Sequence, residues 1–99
     1  MTEVIILSKS PLKTKKWKAE FSDGKTIHFG AKGFSDFTLT GDETKKKAYI
    51  ARHKVNENWT KSGIRTAGFW AYHLLWREKT LQKAIKNAEE RFNIKIKYK

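Results

Sequence analysis

The sequence predicts a single α+β domain over residues 1–99, in which an antiparallel sheet of three or four strands carries about three helices packed on one side. Apolar and polar residues alternate on both sides of Asp23-Gly24, which is typical of a β-hairpin. Residues 81–92 repeat apolar side chains at spacings of three and four, as an amphipathic helix does. The C-terminal stretch "IKIKY" alternates again and predicts a strand that completes the sheet.

Three segments account for the predicted strands. The first is "EVIIL", residues 3–7, followed by the strand-breaking stretch "SKSP" at 8–11. The second is the hairpin, whose strands we expect to meet at a two-residue turn, Asp23-Gly24, because both positions suit positive φ. The third is the C-terminal strand. The side chains expected to face the core are Trp17, Ala19, Phe21, Ile27, Phe29, Ile94, Ile96 and Tyr98.

The segment that follows the hairpin is glycine-rich and then becomes helical. Residues 30–41 read as a loop, and Phe34, Phe37 and Leu39 are expected to pin it to the body of the domain. Asp42 is a suitable N-cap for a helix that continues to about Val55.

Two further helices are predicted in the C-terminal half. One runs from about Thr66 to Arg77 and has almost no polar stripe, which indicates burial on several sides. The other begins after Thr80 as its N-cap and ends at Asn93.

Charge is the strongest compositional signal. Lys and Arg total 22 against 10 Asp and Glu, a net charge of +12, and such self-repulsion points to an acidic partner. Lysine predominates over arginine, which favours contacts to a phosphate backbone over base reading. Trp59, in a polar loop, is expected to be exposed as a partner contact, or else to fold back as a lid on the core. The candidate nucleic-acid or anion-binding residues are Lys16, Lys18, Lys32, Lys45, Lys46, Lys47, Arg52, Lys54, Lys61 and Arg65.

Two glycine-containing loops could cradle a phosphate. Residues 30–36, "GAKGFSD", could bring backbone N–H groups close to an anion, or could simply form a tight turn after the third strand. Residues 60–68, "TKSGIRTAG", lead into a helix whose positive end attracts anions, or are a capped helix start with glycine for close packing. Both alternatives stay open for each loop.

The residues give no support for an enzyme. The chain has no cysteine, and His28, His53 and His73 lack metal-ligand spacing. Asp36 and Asp42 are explained by turn and capping roles. We therefore expect no catalytic residue, metal, cofactor or small-molecule substrate. The N-terminal stretch is neither a signal peptide nor a membrane span, so no membrane insertion is expected.

Three stretches, "DGKTIHFGAKGFSDFT", "ARHKVNENWTKSGIRTAGFWAYHLLW" and "AIKNAEERFNIKI", carry a resemblance. They look like a family of small basic proteins encoded by large nucleocytoplasmic DNA viruses of the chlorella-virus and mimivirus type. The resemblance implies a viral protein located in the virion and, during infection, inside the host cell. It transfers no catalytic residue.

Charge and resemblance together predict a non-enzymatic structural protein of the virion. Its lysine-rich face would hold packaged DNA or an acidic capsid or inner-shell protein, and self-assembly is compatible with that role. The alternative is a regulatory, sequence-independent nucleic-acid-binding module that acts during infection.

Overall fold

Four strands and four helices follow one another in residues 3–99, the part of the chain that the computed structural model describes. Residues 1 and 2 of the predicted domain lie outside it. The α+β class predicted from the sequence is confirmed. The elements are β1 (Glu3–Lys9), β2 (Lys15–Glu20), β3 (Thr26–Ala31), α1 (Phe37–Thr40), α2 (Glu43–His53), α3 (Ala67–Ala71, continued by a π-helical turn, Tyr72–Trp76), α4 (Leu81–Phe92) and β4 (Ile94–Tyr98).

The sheet has the strand order β3-β2-β1-β4 and is mixed. The β1–β2 and β2–β3 pairs are antiparallel, but β4 pairs with β1 in parallel, with Ile5 opposite Ile96. The prediction of a purely antiparallel sheet is therefore wrong for the last strand. Asn93, in the left-handed conformation with φ 52°, reverses the chain after α4 and sends β4 back beside β1. An alternating pattern identifies a strand but carries no information about its direction.

The β2–β3 hairpin turns through three residues, 22–24, and the predicted two-residue turn is wrong. The Phe21 N–H donates to the Lys25 carbonyl over 2.8 Å, and the Gly24 N–H donates to the Phe21 carbonyl over 3.0 Å. Gly24 has φ 94°, whereas Asp23 does not adopt a positive φ. This is a tight turn closed by a left-handed glycine, the usual form of a three-residue hairpin loop.

One face of the sheet packs with α3 and α4 into the hydrophobic core. Trp70 lies at its centre and is fully buried, with its ring 6.1 Å from Phe21 and 6.2 Å from Phe29. Its Nε1 donates to the Ile64 carbonyl over 2.7 Å, so the polar atom of this large side chain is satisfied. The segment predicted to be helical without a polar stripe, which contains α3, thus lies in the core, as its composition predicts.

Residues 30–41 are not a continuous loop, because they contain α1. Asp36 caps this helix, and its Oδ1 accepts from the Thr38 N–H over 3.0 Å. Phe37 is buried as predicted, but Phe34 and Leu39 are 73% and 69% exposed, so these two do not pin the segment. Leu39 follows Phe37 by two residues, which places it on the opposite side of a helix.

The predicted caps of the longer helices are confirmed. Asp42 accepts from the backbone N–H groups of Thr44 and Lys45 at 2.9 and 3.2 Å, and Thr80 accepts from Lys83 at 3.1 Å. At the far end of the sheet, Tyr98 is 53% exposed instead of buried, with its ring edge against Trp17.

Candidate functional site

Lys16, a predicted binding residue, makes its contacts within the domain. Its Nζ lies 2.8 Å from Asp36 Oδ2 and donates to the Phe34 carbonyl over 2.5 Å. The Asp36 side chain is 4% exposed, so this carboxylate has lost most of its water and depends on Lys16 for its counter-charge. The ion pair ties the segment before α1 to β2, and it neutralises the Lys16 charge.

Two further predicted cations pair with exposed acids. Lys18 Nζ lies 2.7 Å from Glu20, and this hydrogen bond lowers the pKa of the Glu20 carboxyl group. Arg65 lies 2.6 Å from Asp23. The pKa of Asp23 is lowered first by the Lys25 backbone N–H and then by Arg65. Both pairs are open to water and therefore add little stability.

Lys46 and Lys61, two more of the predicted cations, donate hydrogen bonds to backbone carbonyl groups. Lys46 Nζ donates to the Arg77 carbonyl over 2.7 Å and lies 4.7 Å from the centre of the Phe37 ring. Lys61 Nζ donates to the Phe92 carbonyl at the end of α4. Sequence alone could not reveal these uses, since both carbonyls are 31 positions away from the lysine along the chain.

The remaining predicted cations are exposed and form no ion pair within residues 3–99. They are Lys32, which follows β3, and four residues that belong to α2 or directly follow it, Lys45, Lys47, Arg52 and Lys54.

A groove separates residues 30–36 from α2, and we call it the loop–helix groove. It consists of two overlapping hollows of about 310 and 360 Å³, which share Phe34, Ser35, Arg52 and Trp76 as lining residues. Lys45 lines one hollow, and the Lys16–Asp36 pair lines the other. The groove therefore combines aromatic walls with cations on the side of α2.

A larger hollow of about 660 Å³ adjoins the groove, and we call it the Trp17 cleft. Leu39 and Leu81 line it together with Trp17, and Lys9 and Lys32 add positive charge. The Lys16–Asp36 pair borders both spaces. Lys9 was not among the predicted binding residues, because its place beside Lys32 depends on how the segment after β3 folds back.

Stacked aromatic rings form part of the wall of the groove. The buried Tyr49 ring stacks on Trp76 at 4.5 Å with planes 8° apart, and on His53 at 4.2 Å. Burial, with a smaller contribution from the Glu57 charge, raises the pKa of Tyr49 to about 12. The stack holds Trp76 in a fixed orientation at the wall of the groove.

Trp59 folds back onto the domain. It is half-buried, and its ring stacks on Tyr72 at 4.0 Å with planes 15° apart. Its carbonyl accepts from His73 Nε2 over 2.7 Å. The geometry corresponds to the lid interpretation of this residue, and its use as a partner contact stays a prediction.

The loop at 60–68 forms a capped helix start, with Thr66 as the N-cap of α3. A Cβ added to Gly68 would overlap the Glu57 carboxylate, so an acidic group of the chain already lies against this end of the helix. The loop at 30–36 makes the tight turn considered above, with Gly33 at φ 85° and the Phe34 N–H directed at the Ala31 carbonyl over 3.4 Å. Although it forms a tight turn, the loop at 30–36 also lines the loop–helix groove.

His73 is a core residue, as its apolar surroundings suggested. It is 2% exposed, and burial lowers its pKa to about 4. Within residues 3–99 no three His, Asp or Glu side chains are grouped as metal ligands would be. No helix in the described part of the chain is both long and apolar enough to cross a membrane. The absence of catalysis stays a prediction.

Residues 5–53, slightly less than half of the chain, match a family of unknown function, DUF5754. The matched stretch runs from β1 to the end of α2 and thus includes most of the groove's lining residues, although not Trp76. Comparison with curated proteins and with solved structures gave no match. The chain is therefore similar to this family over one stretch, and the similarity carries no assigned activity.

Proposed function

We propose that this chain binds the phosphate backbone of nucleic acid, without reading its sequence, through the cations that border the loop–helix groove and the Trp17 cleft. The observation that carries the proposal is the placement of Lys9, Lys32, Lys45 and Arg52. They border adjoining hollows, and none forms an ion pair within residues 3–99. Cations held together without counter-charge attract a polyanion and release its bound counterions.

The resemblance to viral proteins supports the proposal that this binding takes place in the virion or during infection. A structural protein of the virion would use it to hold packaged DNA, and an acidic capsid surface would be an alternative polyanion. A regulator that acts during infection would use the same surface but would be scarce in particles. Quantitative mass spectrometry of purified virions distinguishes the two roles, because a structural component should be present in many copies.

The binding test compares two double variants that remove the same charge from different places. Lys45→Gln with Arg52→Gln changes the groove. Lys83→Gln with Lys86→Gln changes exposed positions on α4, where Glu90 lies nearby. Binding to random-sequence duplex DNA is measured by fluorescence anisotropy at several salt concentrations. Each lost phosphate contact should reduce the log–log salt slope by about 0.9, so the groove variant should lose about 1.8.

The α4 variant is the control for net charge. A nearly unchanged slope in it, with the expected loss in the groove variant, would support the assignment of binding to the groove. Equal losses in both would mean that binding follows total charge, and the groove would then have no special role. The proposal is wrong if the unmodified protein does not bind DNA at physiological salt.

A further inference from the structure

We propose that the loop–helix groove binds unpaired nucleobases, so that the chain prefers single-stranded nucleic acid over a duplex. The inference rests on the proposed function and deepens it, since backbone attraction alone does not distinguish bases from phosphates. Phe34 is a large aromatic side chain that the fold leaves exposed to water.

Phe34 is 73% exposed, although the backbone on both sides of it is held by contacts with the rest of the domain. Its carbonyl accepts from Lys16 Nζ over 2.5 Å, and Asp36 two residues later is buried and ion-paired. Gly30, with φ 78°, admits Leu75 so closely that an added Cβ would lie 2.8 Å from Leu75 Cδ1. The backbone is thus anchored on both sides of an aromatic ring that stays open to water. Binding loses less entropy when the contacting group is positioned in advance.

Trp76 provides a second aromatic surface in the same groove. It is half-buried, lines both hollows and is held nearly parallel to the buried Tyr49 ring. The hollows, at about 310 and 360 Å³, fall at the lower end of the usual range for small-ligand pockets. Two aromatic surfaces beside a space of this size suit flat ring systems, and every base has a face that can stack.

The charges of the groove select the chemistry of the occupant. Lys45 and Arg52 stand on the α2 side without an acidic partner in residues 3–99. The carboxylate in the wall, Asp36, is already neutralised by Lys16. An occupant with flat apolar rings and regularly spaced negative charges satisfies both features. A single strand of nucleic acid has that composition, whereas an acidic peptide supplies the charge without the repeated rings.

Duplex structure is incompatible with this mode of binding. Paired bases are stacked on one another, and freeing one for the groove costs a few kcal/mol. A single strand has no such cost, so it should gain stacking in addition to phosphate contacts. The expected consequence is tighter binding to single strands at equal charge.

The test uses three probes of about 15 nucleotides in total each, the duplex being a folded hairpin, so that the number of phosphates is matched. They are a labelled oligothymidylate, an abasic strand with the same phosphates and no bases, and a random-sequence duplex. Stacking typically contributes about a five- to hundredfold gain in affinity per base, so the oligothymidylate should bind at least about fivefold more tightly than the abasic strand. Fluorescence anisotropy at fixed salt measures the ratio.

Phe34→Ala should remove most of the difference between the thymidylate and abasic strands. The matched control is Val55→Ala, which removes another side chain that is 74% exposed but does not line the groove. The control variant should keep the difference. Neither substitution is expected to unfold the domain, because both side chains are largely in water, and circular dichroism checks this.

The outcomes separate this inference from the proposed function. Equal affinity for the thymidylate and abasic strands, or tighter binding to duplex, would overturn the single-strand inference while backbone binding stands. A polyglutamate peptide that competes as well as the thymidylate strand would also overturn it. Loss of binding to all three nucleic-acid probes would overturn both proposals.

Discussion

Replacing Lys16 with methionine should destabilise the domain far more than the same change at Lys18. The two lysines are close in sequence, and both were predicted as binding residues. Lys16 pairs with Asp36, whose side chain is 4% exposed, whereas Lys18 pairs with a Glu20 side chain that is 37% exposed. Methionine keeps the length and apolar character of the lysine chain, so the comparison isolates the charge.

The size of the effect follows from burial. Removal of one partner from a buried ion pair costs roughly 3–5 kcal/mol, because the other charge is left without compensation. Asp36 would keep its hydrogen bonds from the Thr38 backbone and hydroxyl group, and Lys16 is 18% exposed. We therefore expect the free energy of unfolding to fall by an amount near the lower end of this range, about 3 kcal/mol. The exposed Lys18–Glu20 pair is screened by water, so its loss should leave stability almost unchanged.

Urea unfolding followed by tryptophan fluorescence measures both variants. With a slope of about 1.5 kcal/mol/M, the midpoint for Lys16→Met should fall by about 2 M. The double variant with Asp36→Asn should recover much of this loss, since asparagine can still cap α1 and no buried charge remains. Equal midpoints for the two single variants would refute the argument, as would a double variant less stable than Lys16→Met.

Two further predictions concern glycines and pH. Gly63→Ala should cost about 1–3 kcal/mol or more, because its Cβ would overlap the Asn58 backbone carbonyl, whereas Gly68→Ala meets the movable Glu57 side chain and should cost less. Thermal unfolding shows which of the two variants is less stable, and equal losses of stability would contradict this prediction. Stability should also fall as pH drops from 6.5 to about 4, because unfolded His73 binds a proton in that window and the folded residue does not. The loss should reach up to about 3 kcal/mol, and His73→Phe should largely remove it in urea titrations at about pH 7 and pH 4.5.

The features that sequence predicted correctly depend on neighbouring residues. Asp42 and Thr80 cap helices through N–H groups two or three positions away, and Asn93 ends α4 within one turn. The direction of β4 could not be predicted in this way, because it depends on the position in the folded domain at which α4 ends. The size of the hairpin loop was missed for a different reason, since Asp-Gly suits turns of two and of three residues.

The candidate site was predictable in composition but not in arrangement. Net charge and the lysine-rich start of α2 indicated a cationic surface. Sequence could not separate Lys16 from Lys45, since the first has a buried acid 20 positions away and the second has none within residues 3–99. The groove itself joins Phe34 to Trp76, which are brought together only by the packing of the helices.

The parallel pairing of β1 with β4 has a consequence for synthesis on the ribosome. β1 is the first of the described strands to emerge, and it can pair with β2 at once on one side. Its other edge has no partner until α4 and β4 have followed. An unpaired apolar edge is a template for association with other chains. The nascent chain therefore carries this liability until β4 has been synthesised, and conditions that slow elongation between these two strands should favour aggregation over folding.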